Sequence, residues 1–315
     1  DHTGLNIAGF TQVELNPLPR IKLVAGLRVE QNTLDETRDK VVPIFRTGIN
    51  WQVADYTFLR ASFGQGYRYP SIAEKYASNT IGSIRIFPNP YIEPESGWTT
   101  EAGIKQGISL GETKGLVDIS VFMSQSINMI EYLFGNYPDP VTGIFGYGFL
   151  ATNVEDARVY GSEIEFDLSR MFGKFNTTLS GGYTYLYPVE FNQTTHKNSD
   201  IYLKYRRKHA ALLSLNTSYK RYDLGFSLFA KSKILGTGDV FLKELTREEI
   251  VPGVYDYWQT HNTGYFAMDG NAGYRISNVL TLSFAVKNIT NTEYMGRPGD
   301  IQPQRNYSLR LKGNF

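Results

Sequence analysis

The sequence has no cysteine, which excludes disulfides, thiolate metal sites and cysteine nucleophiles. It has no run close to the roughly 18 apolar residues of a membrane helix, so helical spanning is excluded. It has almost no net charge, with 32 Lys+Arg against 31 Asp+Glu, so a bulk electrostatic partner such as nucleic acid is not expected. Histidine is scarce. His2, His196, His209 and His261 show no metal-ligand spacing, and neither a metal nor a cofactor is expected. No Ser/His/Asp group or close pair of carboxylates suggests catalysis, and the chain is not expected to be an enzyme. The opening stretch DHTGLNIAGF lacks the basic and apolar regions of a signal peptide. An exported protein needs one, so the expectation is a mature chain or a piece of a longer one.

Aromatic residues make up 14%, with 22 Tyr and 19 Phe, and there are 30 Gly. Such richness suits the two interfacial girdles of a membrane barrel, and equally a soluble β-sandwich or a carbohydrate-binding protein. The mean hydropathy of −0.31 does not exclude a membrane, because barrel strands hide their apolar residues by alternation.

Period-two patterns recur along the chain. Ile21, Leu23, Ala25, Leu27 and Val29 alternate with Lys22, Gly26, Arg28 and Glu30. Leu59, Ala61 and Phe63 alternate with Arg60, Ser62 and Gly64, and Val117, Ile119, Val121 and Met123 with Asp118, Ser120 and Phe122. Tyr160, Ile164, Phe166 and Leu168 alternate with Glu163, Glu165 and Asp167. In all, about thirteen strands are expected, with short turns alternating with longer loops, the up-and-down order of an outer-membrane barrel. Several reach the 9–11 residues that cross a bilayer at a tilt. Residues 135–149, 188–202 and 235–265 read as loops. Pro70 ends the strand at 58–67, and Ser71 with Glu74 has capping-box spacing, which predicts a short helix over 71–76. No repeat and no linker divides the chain.

Residues 58–101 contain FGQGYRYPSIAEKY and NPYIEPESGWTTEAGIK. Gly66, Tyr67, Arg68 and Pro70, followed by Asn89, Pro90, Ile92, Pro94, Glu95, Glu101 and Gly103, resemble the barrel pattern of TonB-dependent outer-membrane receptors. LTLSFAVKNITNTEY and QRNYSLRLKGNF are similar to the last two strands of that family. The terminal Phe315 resembles the signal by which such barrels are recognised for membrane insertion. The resemblance implies an all-β, antiparallel transmembrane barrel of 22 strands with a plugged lumen, and an integral outer-membrane location. Residues 1–315 then supply about thirteen C-terminal strands. The N-terminal plug, its TonB-contacting segment and about nine early strands lie outside the sequence. The chain is therefore expected to be a fragment, nicked or partial, completed by the N-terminal portion of the same receptor. The implied function is TonB-dependent import of a scarce, large nutrient such as a ferric siderophore or cobalamin. Its implied partners are the plug, the TonB complex through it, the lipid bilayer and the nutrient ligand. A passive porin or adhesin, and a soluble all-β glycan-binding protein, are the alternatives.

Two groups of residues are candidate contacts for ligand or plug. Tyr67, Arg68, Tyr69, Tyr76 and Tyr91 are placed at the barrel mouth, where they contact ligand or plug or simply fasten the long loop. Tyr255, Tyr257, Trp258 and His261 lie in the stretch 253–266, where ligand contact, packing between loops and an outer aromatic girdle are all open. Haem-binding members of the family resemble one another in a His between the two motifs, and 71–87 contains none. Arg60, Glu101, Lys105, Asp118, Glu163, Glu165, Arg310 and Lys312 are expected to line the lumen, since lipid would penalise them.

Overall fold

The structure is a computed structural model that describes every residue except Asp1, Gly82, Ser83, Val141, Glu155, Val251 and Phe315. Phe315, expected from the sequence to be the insertion signal, thus lies outside the described residues. The strands, in chain order, are β1 (Gly4–Leu18), β2 (Ile21–Leu34), β3 (Thr37–Arg38), β4 (Val42–Ala54), β5 (Thr57–Arg68), β6 (Asn79–Ile81), β7 (Ile84–Phe87), β8 (Glu95–Leu110), β9 (Thr113–Ile127) and β10 (Ile130–Pro138). They continue with β11 (Phe145–Asn153), β12 (Asp156–Phe172), β13 (Phe175–Asn192), β14 (Lys197–Tyr202), β15 (His209–Tyr219), β16 (Tyr222–Ser232), β17 (Gly264–Arg275), β18 (Leu280–Lys287) and β19 (Asn306–Gly313). Three helices join them: α1 (Ile72–Tyr76), α2 (Glu244–Ile250) and α3 (Val254–His261).

Thirteen strands form one antiparallel meander in the order β1-β2-β4-β5-β8-β9-β12-β13-β15-β16-β17-β18-β19, with β3 added to β2 and β14 to β13. Short turns close one end, all of two residues except the four-residue turn between β17 and β18. Gly111, Gly173 and Lys220 open three of them at φ +58°, +62° and +54°, the left-handed conformation such tight turns require. All the long connections gather at the other end. There β10, β11, β7 and β6 form a second, four-stranded sheet.

Register decides which side chains share a face. Asp118 is opposite Lys105 and Glu165, Ser120 opposite Gly103 and Glu163, and Ser180 opposite Asp167 and Ser214. The polar row continues through Ser227 and Asp269 on β16 and β17 to Ser283 opposite Arg310 and Thr281 opposite Lys312. The alternate positions are Leu59 and Ile104, Ile119 and Ile164, Leu213 and Leu228, then Leu282 and Leu311. One face of the meander is therefore apolar from strand to strand and the other polar. Little of the apolar face is buried: Ile119 is 42% exposed and Leu309 is 72% exposed. The buried apolar residues sit mainly among the long connections, such as Phe87, Ile92, Ile234, Trp258 and Met295.

Three stretches read as loops are structured instead. Residues 135–149 belong largely to the hairpin β10–β11, which follows a break at Asn128, where φ is +55°. Residues 188–202 extend β13 and then form β14, and 235–265 contain α2 and α3. The helix expected near 71–76 is α1, with both hydrogen bonds of the Ser71/Glu74 capping box present.

Candidate functional site

The first candidate group surrounds the end of β5. The rings of Tyr67 and Tyr69 meet edge to face at 4.8 Å. Arg68 donates to Glu95 at 2.6 Å and to Glu74 at 2.9 Å. Glu74 also accepts the backbone N–H of Ser71 at 2.7 Å. Burial alone would raise the Glu74 carboxyl, but the Ser71 and Arg68 bonds outweigh it and hold it below the usual range. Arg68 thus ties β5 to α1 and β8. Tyr76 stacks on His2 at 3.7 Å. Tyr91 is 89% exposed. A cleft of about 590 Å³ lies beside this group, with Arg46, Gly64, Trp98, Thr99 and Ser126 in its wall.

The second group is carried by α3, a helix where the sequence suggested a loop. Gly253, at φ +81°, precedes it. Tyr257 and His261 are one turn apart and stack at 4.1 Å. The Tyr257 hydroxyl donates to Glu293 at 2.6 Å, across to the β18–β19 connection. Burial first, and then Glu293, push the Tyr257 phenol up to about 12. Trp258 points the other way, into an apolar cluster with Ile234 and Met295. Tyr255 lies under Arg247 at 4.2 Å. Between α3 and residues 233–237 is a cavity of about 430 Å³ lined by Lys233, Thr237, Leu242, Trp258 and Gln259. The buried Thr237 hydroxyl has no hydrogen-bond partner among the described residues.

Sequence reasoning missed Arg207. Its guanidinium donates to the carbonyls of Ser232 and Met295, the latter at 2.7 Å, and lies 5.3 Å from the Tyr265 ring centroid. Burial drives its pKa down, with Tyr265 opposing. The only signal was the basic run Arg206–Arg207–Lys208 before β15.

The two candidate groups are not one constellation. Five strands separate β5 from β16 in the sheet, about 29 Å at roughly 4.8 Å per strand step. Among the described residues no group of three His, Asp or Glu could hold a metal ion.

The polar face holds a charge network. Arg60 bonds Glu101 at 2.9 Å and Asp118 at 2.5 Å, and Lys105 reaches Asp118 at 3.2 Å. The apolar face has aromatic residues near each end. Toward the short turns, Phe175 stacks with Tyr219 at 4.5 Å and Tyr222 lies 4.9 Å from Tyr274. Toward the long connections lie Trp98 beside Phe63, and Tyr160 beside Tyr187. On β13, ten residues separate Phe175 from Tyr185. At ~3.4 Å per residue and a tilt of ~40°, that is a height of ~26 Å, matching the ~25 Å apolar band of an outer-membrane barrel.

A family model for the TonB dependent receptor-like β-barrel matches residues 1–289. The vitamin B12 transporter BtuB of Vibrio vulnificus (strain YJ016) is 24% identical over 247 residues, 78% of this chain and 32% of that protein. The fold superposes on the copper transporter OprC with a TM-score of 0.72 at 16% identity, covering 100% of this chain and 48% of that one. It superposes on the Serratia marcescens hemophore receptor HasR with a TM-score of 0.69 at 14% identity, covering 98% of this chain and 51% of that one. The chain thus spans about a third of its curated relative and about half of these structures. With its apolar face bounded by aromatic residues and its charges on the other side, the chain belongs to the TonB-dependent receptor β-barrel family, integral proteins of the Gram-negative outer membrane.

Proposed function

We propose that this chain is the C-terminal part of the wall of a plugged barrel that imports a scarce, large nutrient, driven by the TonB complex acting on the plug. The observation that carries the reading is the continuous polar face across thirteen strands, backed by an apolar face of bilayer height. The two edges of the meander support its completion by further strands. β1 and β19 each pair on one side only among the described residues. A bare strand edge in hydrocarbon costs several kcal/mol per unsatisfied backbone group. Both edge strands run from the long-connection end toward the short turns, so they cannot close on each other as antiparallel neighbours. The Arg60–Glu101–Lys105–Asp118 network faces the lumen and offers the plug a charged wall.

The mouth residues Tyr67, Tyr69 and Tyr91, and the α3 residues Tyr255, Tyr257, Trp258 and His261, take the role of ligand or plug contacts. Aromatic rings with nearby cations are common anchors. Arg68, held by two carboxylates, fastens the loop that carries them. The relatives named for vitamin B12, copper and a haem-loaded hemophore define the cargo types to test first, beside ferric siderophores. Uptake of labelled cobalamin and of ferric siderophores by cells carrying the receptor is measured before and after an uncoupler collapses the proton gradient. Uptake of the true cargo should stop. Uptake that continues unchanged would point to a passive pore.

A further inference from the structure

The polar, lumen-side face is not uniform around the meander. From β2 to β12 every strand brings charge to it: Arg28 on β2, Arg46 on β4, Arg60 on β5, Glu101 on β8, Asp118 on β9 and Glu165 on β12. Charge returns on the far side, at Asp269 on β17 and at Arg310 and Lys312 on β19. Between these sectors lies an arc without it. Thr178, Ser180 and Gly182 on β13 stand opposite Asn216, Ser214 and Leu212 on β15, and no lumen-side position from 176 to 184 or from 210 to 218 is charged. On β16 the row continues with Gly225, Ser227 and Phe229, and only Asp223 and Lys231, toward the strand ends, carry charge. From β12 to β17 there are four strand steps, an arc of about 19 Å at roughly 4.8 Å per step.

The side chains of this arc are mostly small and bond one another. The Ser214 and Ser227 hydroxyls are 2.9 Å apart. The Asn216 and Asn271 amide oxygens both lie over Gly225, where a Cβ would collide with them. A plug gripped by a charged wall is held through charge-assisted hydrogen bonds, about twice as strong as neutral ones. Water replaces a neutral hydroxyl or amide contact at little net cost. A pull on the plug therefore parts it first from β13, β15 and β16. Passage also requires that cargo be released as easily as it is held, which many weak, similar sites allow and fixed charges hinder.

We propose that the neutral arc of β13, β15 and β16 is the stretch of wall along which cargo passes, while the charged strands on either side keep hold of the plug. Such a wall has cargo to pass only in a plugged, TonB-driven importer, the reading on which this assignment rests. It suits a cargo with hydrogen-bonding groups over much of its surface, and it traps neither sign of charge.

The chain has no cysteine, so single thiols introduced into it report accessibility. Asn216→Cys and Ser214→Cys place one in the arc. Ser62→Cys places one on the lumen side of β5, opposite Glu101. Cells carrying the whole receptor, supplied with cobalamin and a ferric siderophore, are treated with a membrane-impermeant biotin maleimide with and without an uncoupler. Energised cells should label Asn216→Cys and Ser214→Cys at least about fivefold faster than uncoupled cells, the ratio that about 1 kcal/mol of weaker contact gives. Ser62→Cys should label at one rate in both. Ser214→Lys should slow uptake without changing the binding of cargo at the cell surface, and Ser214→Thr should alter neither. Uptake indifferent to the uncoupler would remove the importer reading and the path with it. Uptake that stops, with the three thiols responding alike or with Ser214→Lys importing at the parent rate, would overturn the path alone.

Discussion

Leu212 and Leu213 are neighbours on β15 and are almost equally exposed in the sheet, at 50% and 44%. They face opposite sides. Leu213 pairs with Gly181 and Leu228 on the apolar face, and Leu212 with Gly182 and Phe229 on the polar face. Leu213 lies six residues from Tyr219 of the inner aromatic girdle, or ~16 Å up, near the middle of the ~25 Å apolar band. An arginine at that depth costs about 2–4 kcal/mol, so Leu213→Arg should lower the folding equilibrium roughly 30- to 900-fold. Leu212→Arg puts the same charge one residue away toward the watered lumen, and should cost under about 1 kcal/mol, as ordinary surface substitutions do. The assay is urea unfolding of the receptor in phospholipid vesicles, following the folded fraction by heat-modifiable gel mobility. In a soluble sheet wetted on both faces the two variants would be equivalent. Equal costs, or a larger cost for Leu212→Arg, would refute the assignment of faces.

Gly161 gives a second test. It is opposite Phe122, and a Cβ there would penetrate the Phe122 ring. Gly161→Ala should cost about 1–3 kcal/mol as overpacking, and Phe122→Ala in the same chain should remove most of that penalty in a double-mutant cycle. A third test follows from Tyr257. Its phenol ionises at about 12 in the folded protein, against an ordinary value of 10.0. The neutral form is the one favoured by folding, so its stabilisation of α3 is complete below pH 10 and is lost as pH rises toward 12. Trp258 fluorescence in a chain lacking the other tryptophans should report the undocking in that window, and Tyr257→Phe should abolish the step.

The strands were legible because alternation is a local signal. The pattern of Leu59, Ala61 and Phe63, or of Leu282, Phe284 and Val286, needs no knowledge of neighbours. The capping box at Ser71 was legible for the same reason, since both of its bonds close within four residues. The helix α3 was not. At eight residues it is too short to be stable by its own propensity, and it is held by Trp258 packing on Ile234 and Met295 and by Tyr257 bonding Glu293. Its one sequence trace was Val254 with Trp258, and Tyr257 with His261, at one-turn spacing. The β10–β11 hairpin was hidden because an apolar run continues past Asn128, and only a left-handed backbone there breaks it.

Taken alone, the residue order determined that this is a meander of amphipathic strands, with short turns at one end and long connections at the other. It also placed polar or charged residues on one side of most ribbons and grease on the opposite side. The tertiary structure decided that these sides coincide from strand to strand, because a register slip of one residue anywhere would have turned the next ribbon over. It alone placed Arg207 under Tyr265 and against the Met295 carbonyl. Those contacts join segments distant in the chain, and their energies depend on burial that no local pattern encodes.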